Sequence, residues 1–572
     1  MHWIGRVWRN SRGSAARGAW TRPRVEIEPD EIFLDSSNLP SLDPTQLEGR
    51  VERPVSRFGI ASTGALFILI VGIFGFRAYN LQVVEGAQYA SASDSNRLSQ
   101  SLIFAERGVI YDRNGKELAW NEPGTDVPYA DRQYATLPGF ADLIGYVRYP
   151  RADSNGTWWR TDLTGVTGIE HLFDAQLAGT NGSKLVEVNA LQQVQREHIV
   201  NPPVDGTDVK LSIDADVQSE LFTLLSEHAA ANHFQGGAAA IMDVKTGQLL
   251  AITSFPEYDQ EAMTTGDSAK IQAFANDPNS PFLFRAISGA YTPGSIVKPF
   301  VASAALNEGV IDPNTQILST GSISVPNAYD PAKPSVFKDW RVQGWVDMRH
   351  AIAYSSDVYF YEVGGGFEGQ PGLGITRLDE YFKKFGFSIA PGGIFPDEAA
   401  GLIPTPAWKA ATFNGDPWRL GDTYITAIGQ YGMQVSPLQA VRAFSALANG
   451  GTLLTPKITA DAVAQGTSVG IPDSLLQIVR EGMRLGVTSD LGTAHAMDIN
   501  GIELAGKTGT AQLGSHNEWM NSWAVGFWPA SHPRYAFAVV LEHAPAGTNS
   551  GASPAMNPFF YWLIKNKPQY IN

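Results

Sequence analysis

Apolar and polar positions divide the chain into stretches of different texture. Residues 58–76 carry no charge at all. Nineteen residues at helical rise span about 28 Å, close to a bilayer's hydrocarbon core, and Gly64, Gly72 and Gly75 are usual in such helices. A buried core helix would show a polar face, and this run has none. A cleaved signal needs a short apolar region close to a small-residue site, whereas Ala90-Ser91-Ala92 lies more than a dozen residues past the run. The pattern predicts a transmembrane anchor. Further on, two short apolar runs, 108–111 and 118–120, flank the turn Asp112-Arg113-Asn114-Gly115 and predict a hairpin. Residues 169–177 read as helical. Val209, Leu211 and Ile213 alternate as in a strand, and residues 215–232 have helical period. Residues 237–242 and 248–253 predict two strands joined by a turn at 243–247. Helices are expected after Pro437, ending at Asn449-Gly450-Gly451, and after Pro472. Residues 521–527 and 535–541 read as a C-terminal strand pair, and 559–565 as a closing helix.

These elements predict an α+β protein: a single N-terminal transmembrane helix, a mixed pedestal, and a long domain of antiparallel strands with helices packed on them. Residues 1–57 form a tail in which Arg6, Arg9, Arg12, Arg17, Arg22 and Arg24 precede the first acid, Glu26. Trp3, Ile4, Val7 and Trp8 share one face at helical spacing, a pattern suited to an anionic membrane surface. The competing reading, a disordered basic leader, is the one adopted. Arg50, Arg53 and Arg57 precede the anchor at 58–76 and only Arg77 lies close after it, so the tail is expected in the cytoplasm and the bulk of the chain outside. Residues 77–204 are irregular and hold no catalytic constellation. Asn201-Pro202-Pro203-Val204-Asp205-Gly206 reads as a linker, and 205–572 as the main domain.

Composition narrows the function classes. A length of 572 residues implies two or three domains, and 44% hydrophobic with 17% charged residues supports a real core. A net charge of -15 argues against a nucleic-acid partner. The chain has no cysteine, which excludes disulfides, thiolate metal sites and a cysteine nucleophile. Histidines such as His350 and His516 lack ligand spacing, so no metal is expected. No glycine loop for phosphate precedes a helix, and no cofactor is expected.

Three motifs occur in order: Ser295-Ile296-Val297-Lys298, Ser355-Ser356-Asp357 and Lys507-Thr508-Gly509-Thr510. Pro293-Gly294 delivers Ser295 to a helix start, with Lys298 three residues on along the same face, the layout of a nucleophile and its base. Singly each motif is weak, because rivals exist at Ser335 with Lys338, at 245–247, at 212–214 and at 36–38. Context separates them. Lys245-Thr246-Gly247 sits at a hairpin tip, Ser335 reads as part of a loop, Ser212 lies in a strand, and Ser36 lies across the anchor. Only the set at 295, 355 and 507 keeps the order in suitable settings: helix start, helical segment, then strand.

That set resembles the S-x-x-K, S-D-N and K-T-G pattern of class A β-lactamases and penicillin-binding proteins. The stretch 285–295, Arg-Ala-Ile-Ser-Gly-Ala-Tyr-Thr-Pro-Gly-Ser, is similar to the approach to the active serine of penicillin-binding transpeptidases. Residues 429–432 with 436–439, 107–115, and 168–170 with Leu177 place the resemblance in the class B, membrane-anchored branch, over roughly residues 77–568. The resemblance implies that Ser295 is acylated, that Lys298 is its base, and that Ser355 relays a proton toward the leaving amine. It implies that Lys507, Thr508, Gly509 and Thr510 form the strand gripping the substrate carboxylate, and that the backbone N–H groups of Ser295 and Thr510 form the oxyanion hole. Many relatives carry Asn where this chain has Asp357. The Asp form, with Glu398, Gly401, Leu402, Ile403, Pro404 and Trp408, resembles the elongation-type penicillin-binding protein 2 branch, which builds the side wall of rod-shaped cells.

The expected function is therefore a peptidoglycan D,D-transpeptidase, cross-linking stem peptides through an acyl-enzyme on Ser295 and a target of β-lactam antibiotics. A division-specific transpeptidase of the same class, a hydrolytic carboxypeptidase or β-lactamase, and a membrane-tethered sensor or scaffold are the alternatives. The expected protein partners are a polytopic glycosyltransferase of the shape, elongation, division and sporulation family and other membrane proteins of the elongation complex.

Overall fold

A computed structural model describes residues 56–571 apart from 96–97, 155–156, 189–193, 328–329, 331 and 393. The tail with its Trp3–Trp8 face, and the rival motif at Ser36, lie outside the described residues. The predicted apolar helix forms: α1 (Arg57–Tyr79) starts on a Ser56 cap that accepts from the Gly59 amide at 2.9 Å. The helix continues beyond the expected Phe76 through a π-turn to Val84, giving 28 residues long and apolar enough to cross a membrane. No residue of α1 is buried by protein.

Residues Arg97–Asn572 form a second compact unit. Its first part carries several small sheets. Leu98–Ile103, Gly182–Val188 and Val194–Asn201 form an antiparallel three-stranded sheet. The predicted hairpin appears in a second, four-stranded sheet, with Ile110 opposite Ala119 and the turn held by Asp112 Oδ1, which accepts from the Asn114 and Lys116 amides. Two stretches cited for the family resemblance meet in this region. Arg107 Nε reaches Glu170 Oε2 at 2.6 Å, and Arg132 Nε reaches Glu170 Oε1 at 2.7 Å, all three side chains buried. Breaking one partner of such a buried group strands the others' charge, a cost of about 3–5 kcal/mol.

The 201–206 segment, expected as a linker, is tied down on several sides. Val204 and Thr180 exchange backbone hydrogen bonds, Asp205 accepts from the Glu106 amide, and Gly206 donates to Glu106 O. The strand that follows, Val209–Lys210, pairs in parallel with Ile110–Tyr111.

The remainder is built on one antiparallel sheet of five strands: β1 (Gly236–Asp243), β2 (Leu249–Phe255), β3 (Ala505–Leu513), β4 (Trp519–Trp528) and β5 (Tyr535–Pro545), in the order β2-β1-β5-β4-β3. Alternate residues of β1 enter two different cores. Ala239 and Ile241 face α2 (Ala215–Ala231) and the C-terminal helix Ala552–Asn566, while Ala238, Ala240 and Met242 face the other helices. Burial on both faces explains why β1 and β2 are mostly apolar rather than alternating. On the second face lie α3 (Lys298–Asn307), α4 (Asp357–Gly365), α5 (Pro437–Ala448) and α6 (Asp473–Thr488). The Ser436-Pro437-Leu438-Gln439 stretch is a capping box: Ser436 Oγ accepts from the Gln439 amide, and Gln439 Oε1 accepts from the Ser436 amide.

Candidate active site

The serine turn is held by its backbone. Tyr291 and Val435 exchange both backbone hydrogen bonds at 2.9 Å, and the Trp523 indole donates to Thr292 O at 3.0 Å. Pro293 then sets φ near -77°, and Gly294 turns left-handed at φ +56°. A Cβ on Gly294 would lie 2.6 Å from Thr510 O, and one on Gly509 would lie 2.6 Å from Pro293 O. Both glycines are needed for the serine turn to sit directly on β3. Ser295 is the second residue of a short 3-10 turn, Gly294–Val297, that runs into α3.

The three motifs converge on one pocket. Lys298 Nζ, fully buried, donates to Ser355 O at 2.7 Å and Asp357 Oδ1 at 2.7 Å, and lies 3.2 Å from Ser355 Oγ. Lys507 Nζ, also buried, lies 2.9 Å from Ser355 Oγ and 2.8 Å from Thr508 O. Ser355 Oγ thus stands between two lysine nitrogens. Burial and the neighbouring Lys298 ammonium push Lys507 well below the usual lysine range, with Asp357 opposing them.

A cleft of about 960 Å³ opens over this pocket. Ser295, Ser355, Asp357, Thr508 and Thr510 line it, whereas Lys298, Lys507 and Gly509 lie buried beneath. The site is therefore layered, with hydroxyls facing the cleft and lysines behind them. Among the described residues, no hydrogen bond joins Ser295 Oγ to Lys298 Nζ.

Two local readings need correction. Ser355 is not in a helical segment. It sits between the short helix Met348–Ala353 and α4, with a left-handed φ of +57°. Such a conformation in a non-glycine residue persists only where the surroundings enforce it. The rival Ser335–Lys338 is not a loop but a strand paired with Ser322–Val325, because its residues find cross-strand partners that local sequence does not reveal. It ends in the cleft, where Lys338, Asp339 and Trp340 join the lining. These three, and Gln430 and Tyr431, also in the lining, carry no signal in the three short motifs. The Lys245–Gly247 rival is the expected turn, with Gly247 at φ +79°.

The 398–408 stretch packs beside Tyr431 and Gln434. Leu402 pairs with Gln434, Gly401 approaches Gln434 O, and the Trp408 ring meets Tyr431 edge-on at 5.8 Å.

Comparison with known proteins bears on the domains. Residues 237–565 match the penicillin-binding protein transpeptidase domain, and residues 126–211 the penicillin-binding protein dimerisation domain. The chain is 29% identical to the peptidoglycan D,D-transpeptidase MrdA of Haemophilus influenzae, covering 93% of this chain and 95% of that one. It is 28% identical to MrdA of Escherichia coli K12, covering 89% and 93% respectively. Among solved structures, Pseudomonas aeruginosa PBP2 in complex with WCK 5153 superposes with a TM-score of 0.65 at 29% identity, covering 83% of this chain and 100% of that one. PBP2 of Helicobacter pylori, solved in complex with MreC, gives 0.67 at 26% identity, covering 82% and 99%. With the transpeptidase match spanning more than half its length, this chain belongs to the penicillin-binding protein transpeptidase family.

Proposed function

We propose that the chain is a peptidoglycan D,D-transpeptidase that works through an acyl-enzyme on Ser295, and that its two lysines exchange a proton through Ser355. The observation that carries the reading is Ser355 Oγ, 3.2 Å from one lysine nitrogen and 2.9 Å from the other. Two ammonium groups are costly in a buried pocket with one carboxylate, and Lys507 is the one pushed toward neutrality. A substrate carboxylate bound at the Thr508 and Thr510 hydroxyls favours positive charge on Lys507 behind them. Ser355 then passes its own proton to Lys507 and takes one from Lys298. Lys298 is left neutral and accepts the Ser295 proton as Oγ attacks the penultimate D-alanine carbonyl. The Ser295 and Thr510 amides stabilise the oxyanion. Collapse of the tetrahedral intermediate breaks the amide bond, and the proton held on Lys298 goes through Ser355 to the departing D-alanine nitrogen. An amine from a second stem peptide takes the acyl group by the reverse steps.

The apolar α1 suits a single-pass anchor with the tail in the cytoplasm and the catalytic unit outside. An elongation role is favoured by the similarity to MrdA proteins. A solved peptidoglycan synthase complex contains a relative with a TM-score of 0.68 at 26% identity, covering 89% of this chain and 98% of that one. A polytopic glycosyltransferase meeting the anchor and the 77–204 region follows as the partner. Labelling with fluorescent penicillin tests the chemistry: the wild type takes the label and Ser295→Ala does not, and equal labelling of both would sink the reading. Depletion followed by microscopy tests the role, with rounding expected and filamentation pointing instead to division.

A further inference from the structure

The strand Ser335–Lys338 runs directly into Asp339 and Trp340 at the cleft. The Asp339 amide donates to Gly321 O at 2.8 Å, which fixes the backbone there. Its carboxylate collects five donors. Oδ2 accepts from Ser356 Oγ at 2.8 Å, Ser319 Oγ at 3.0 Å and the Val358 amide at 3.1 Å. Oδ1 accepts from the Trp340 amide at 2.9 Å and Gln343 Nε2 at 3.2 Å. Ser356 caps α4, and Val358 lies in its first turn, where a carboxylate also meets the positive end of the helix dipole. The Trp340 indole N–H reaches Tyr354 O at 3.2 Å and Ser355 O at 3.3 Å. Residues on both sides of Ser355 are therefore tied to one dipeptide, and Ser355 is the residue at φ +57°.

We propose that Asp339, with the indole of Trp340, is a positioning residue for acyl transfer. Together they hold the Ser355 backbone in its left-handed state, which keeps the hydroxyl between the two lysines. Neither needs to touch substrate. This rests on reading Ser355 as the proton relay. An Asn at 339 keeps one acceptor oxygen and turns an NH2 toward donors, so it cannot reproduce both halves of the cluster.

The test measures acylation of the full-length protein by fluorescent penicillin in wild type, Asp339→Asn, Trp340→Phe, Ser355→Ala and the Asp339→Asn/Ser355→Ala double variant. Asp339→Asn is expected to slow acylation about tenfold or more while changing apparent penicillin affinity less than about threefold, because positioning errors are felt in the chemical step. Trp340→Phe keeps an aromatic ring and removes the N–H. It should slow acylation about threefold or more, and it remains readable if the Asp339 variant does not fold. On the Ser355→Ala background, Asp339→Asn should add less than about a twofold effect, since the group it positions is gone. Equal slowing on both backgrounds would make Asp339 a general structural residue and overturn the assignment. Unchanged acylation in both single variants of the dipeptide would overturn it too. A wild type that takes no label would instead remove the acyl-enzyme reading, and this assignment with it.

Discussion

Asp357 brings a negative charge to both lysines of the pocket. Its Oδ1 pairs with Lys298 at 2.7 Å, and its charge opposes the depression of Lys507. An Asn there still offers an oxygen to Lys298 but supplies no negative charge. Removing the anion takes away the charge that opposes the depression of Lys507, so Lys507 gives up its proton at lower pH. Asp357→Asn should therefore remain acylable, with the acid limb of its pH–rate profile moved to lower pH. Second-order acylation rates measured from about pH 5 to pH 9 check this, and an unmoved limb would count against the shared-proton pocket. At this scale the sequence was most informative. Ser295, Lys298, Ser355 and Lys507 were legible because the chemistry demands those residue types in fixed short motifs. Asp339 and Trp340 were not, because their hydrogen bonds to the turn around Ser355 reach residues fourteen or more positions away. Their only local trace was a rival motif that context assigned to a loop.

The elements matter where they touch. Gly294 and Gly509 let the serine turn and β3 approach to backbone contact, so the oxyanion donors depend on two missing side chains. Gly294→Ala would put a Cβ against Thr510 O and force alanine into a left-handed conformation, at a cost of about 1–2 kcal/mol before the clash is counted. Acylation by penicillin should fall about thirtyfold or more, and a rate within threefold of wild type would show that the close approach is dispensable. Helix α4 carries a second, separate titration. Burial, then Glu368, pushes Glu362 up to about 7 from an ordinary value of 4.5. The folded state thus favours the protonated carboxyl. Its contribution is fully present below about pH 4.5 and is lost as pH rises through about 7. Glu362→Gln should raise stability at pH 8 by about 1–2 kcal/mol after solvent screening, and change it little at pH 4. Denaturant melts at the two pH values measure the difference. The elements themselves were mostly readable, because two-sided burial gave β1, β2, β4 and β5 apolar runs bounded by turn residues. The left-handed break at Ser355 was not readable, since no glycine marks it.

On the scale of the whole body, the Pro-Pro and Asp-Gly signals at 202–206 suggested a linker, and the chain is fastened there by partners distant in sequence. A second fastening lies at Asp214, a fully buried carboxylate. It accepts from Asn114 Nδ2 in the N-terminal hairpin, from the Val217 amide, and from Lys567 Nζ and Tyr570 OH near the C-terminus. Burial alone would raise its pKa, but the hydrogen bonds from Tyr570, Asn114 and Lys567 outweigh it and hold the carboxyl below its usual range. The sign of the linkage follows. A depressed folded pKa gives stability that is present above the unfolded value, near 3.8, and is lost as pH falls below it. Asp214→Asn keeps the size and removes the charge that Lys567 pairs with, at an expected cost of about 2–4 kcal/mol at pH 7. Because the variant has no carboxyl to protonate, its deficit relative to wild type should shrink as pH falls from about 4 toward 3. Thermal melts of both proteins across that range decide the matter. A deficit that stays constant with pH would mean that the cluster stabilises by packing and not by charge. A variant as stable as wild type at pH 7 would mean that the hairpin and the C-terminus are joined elsewhere.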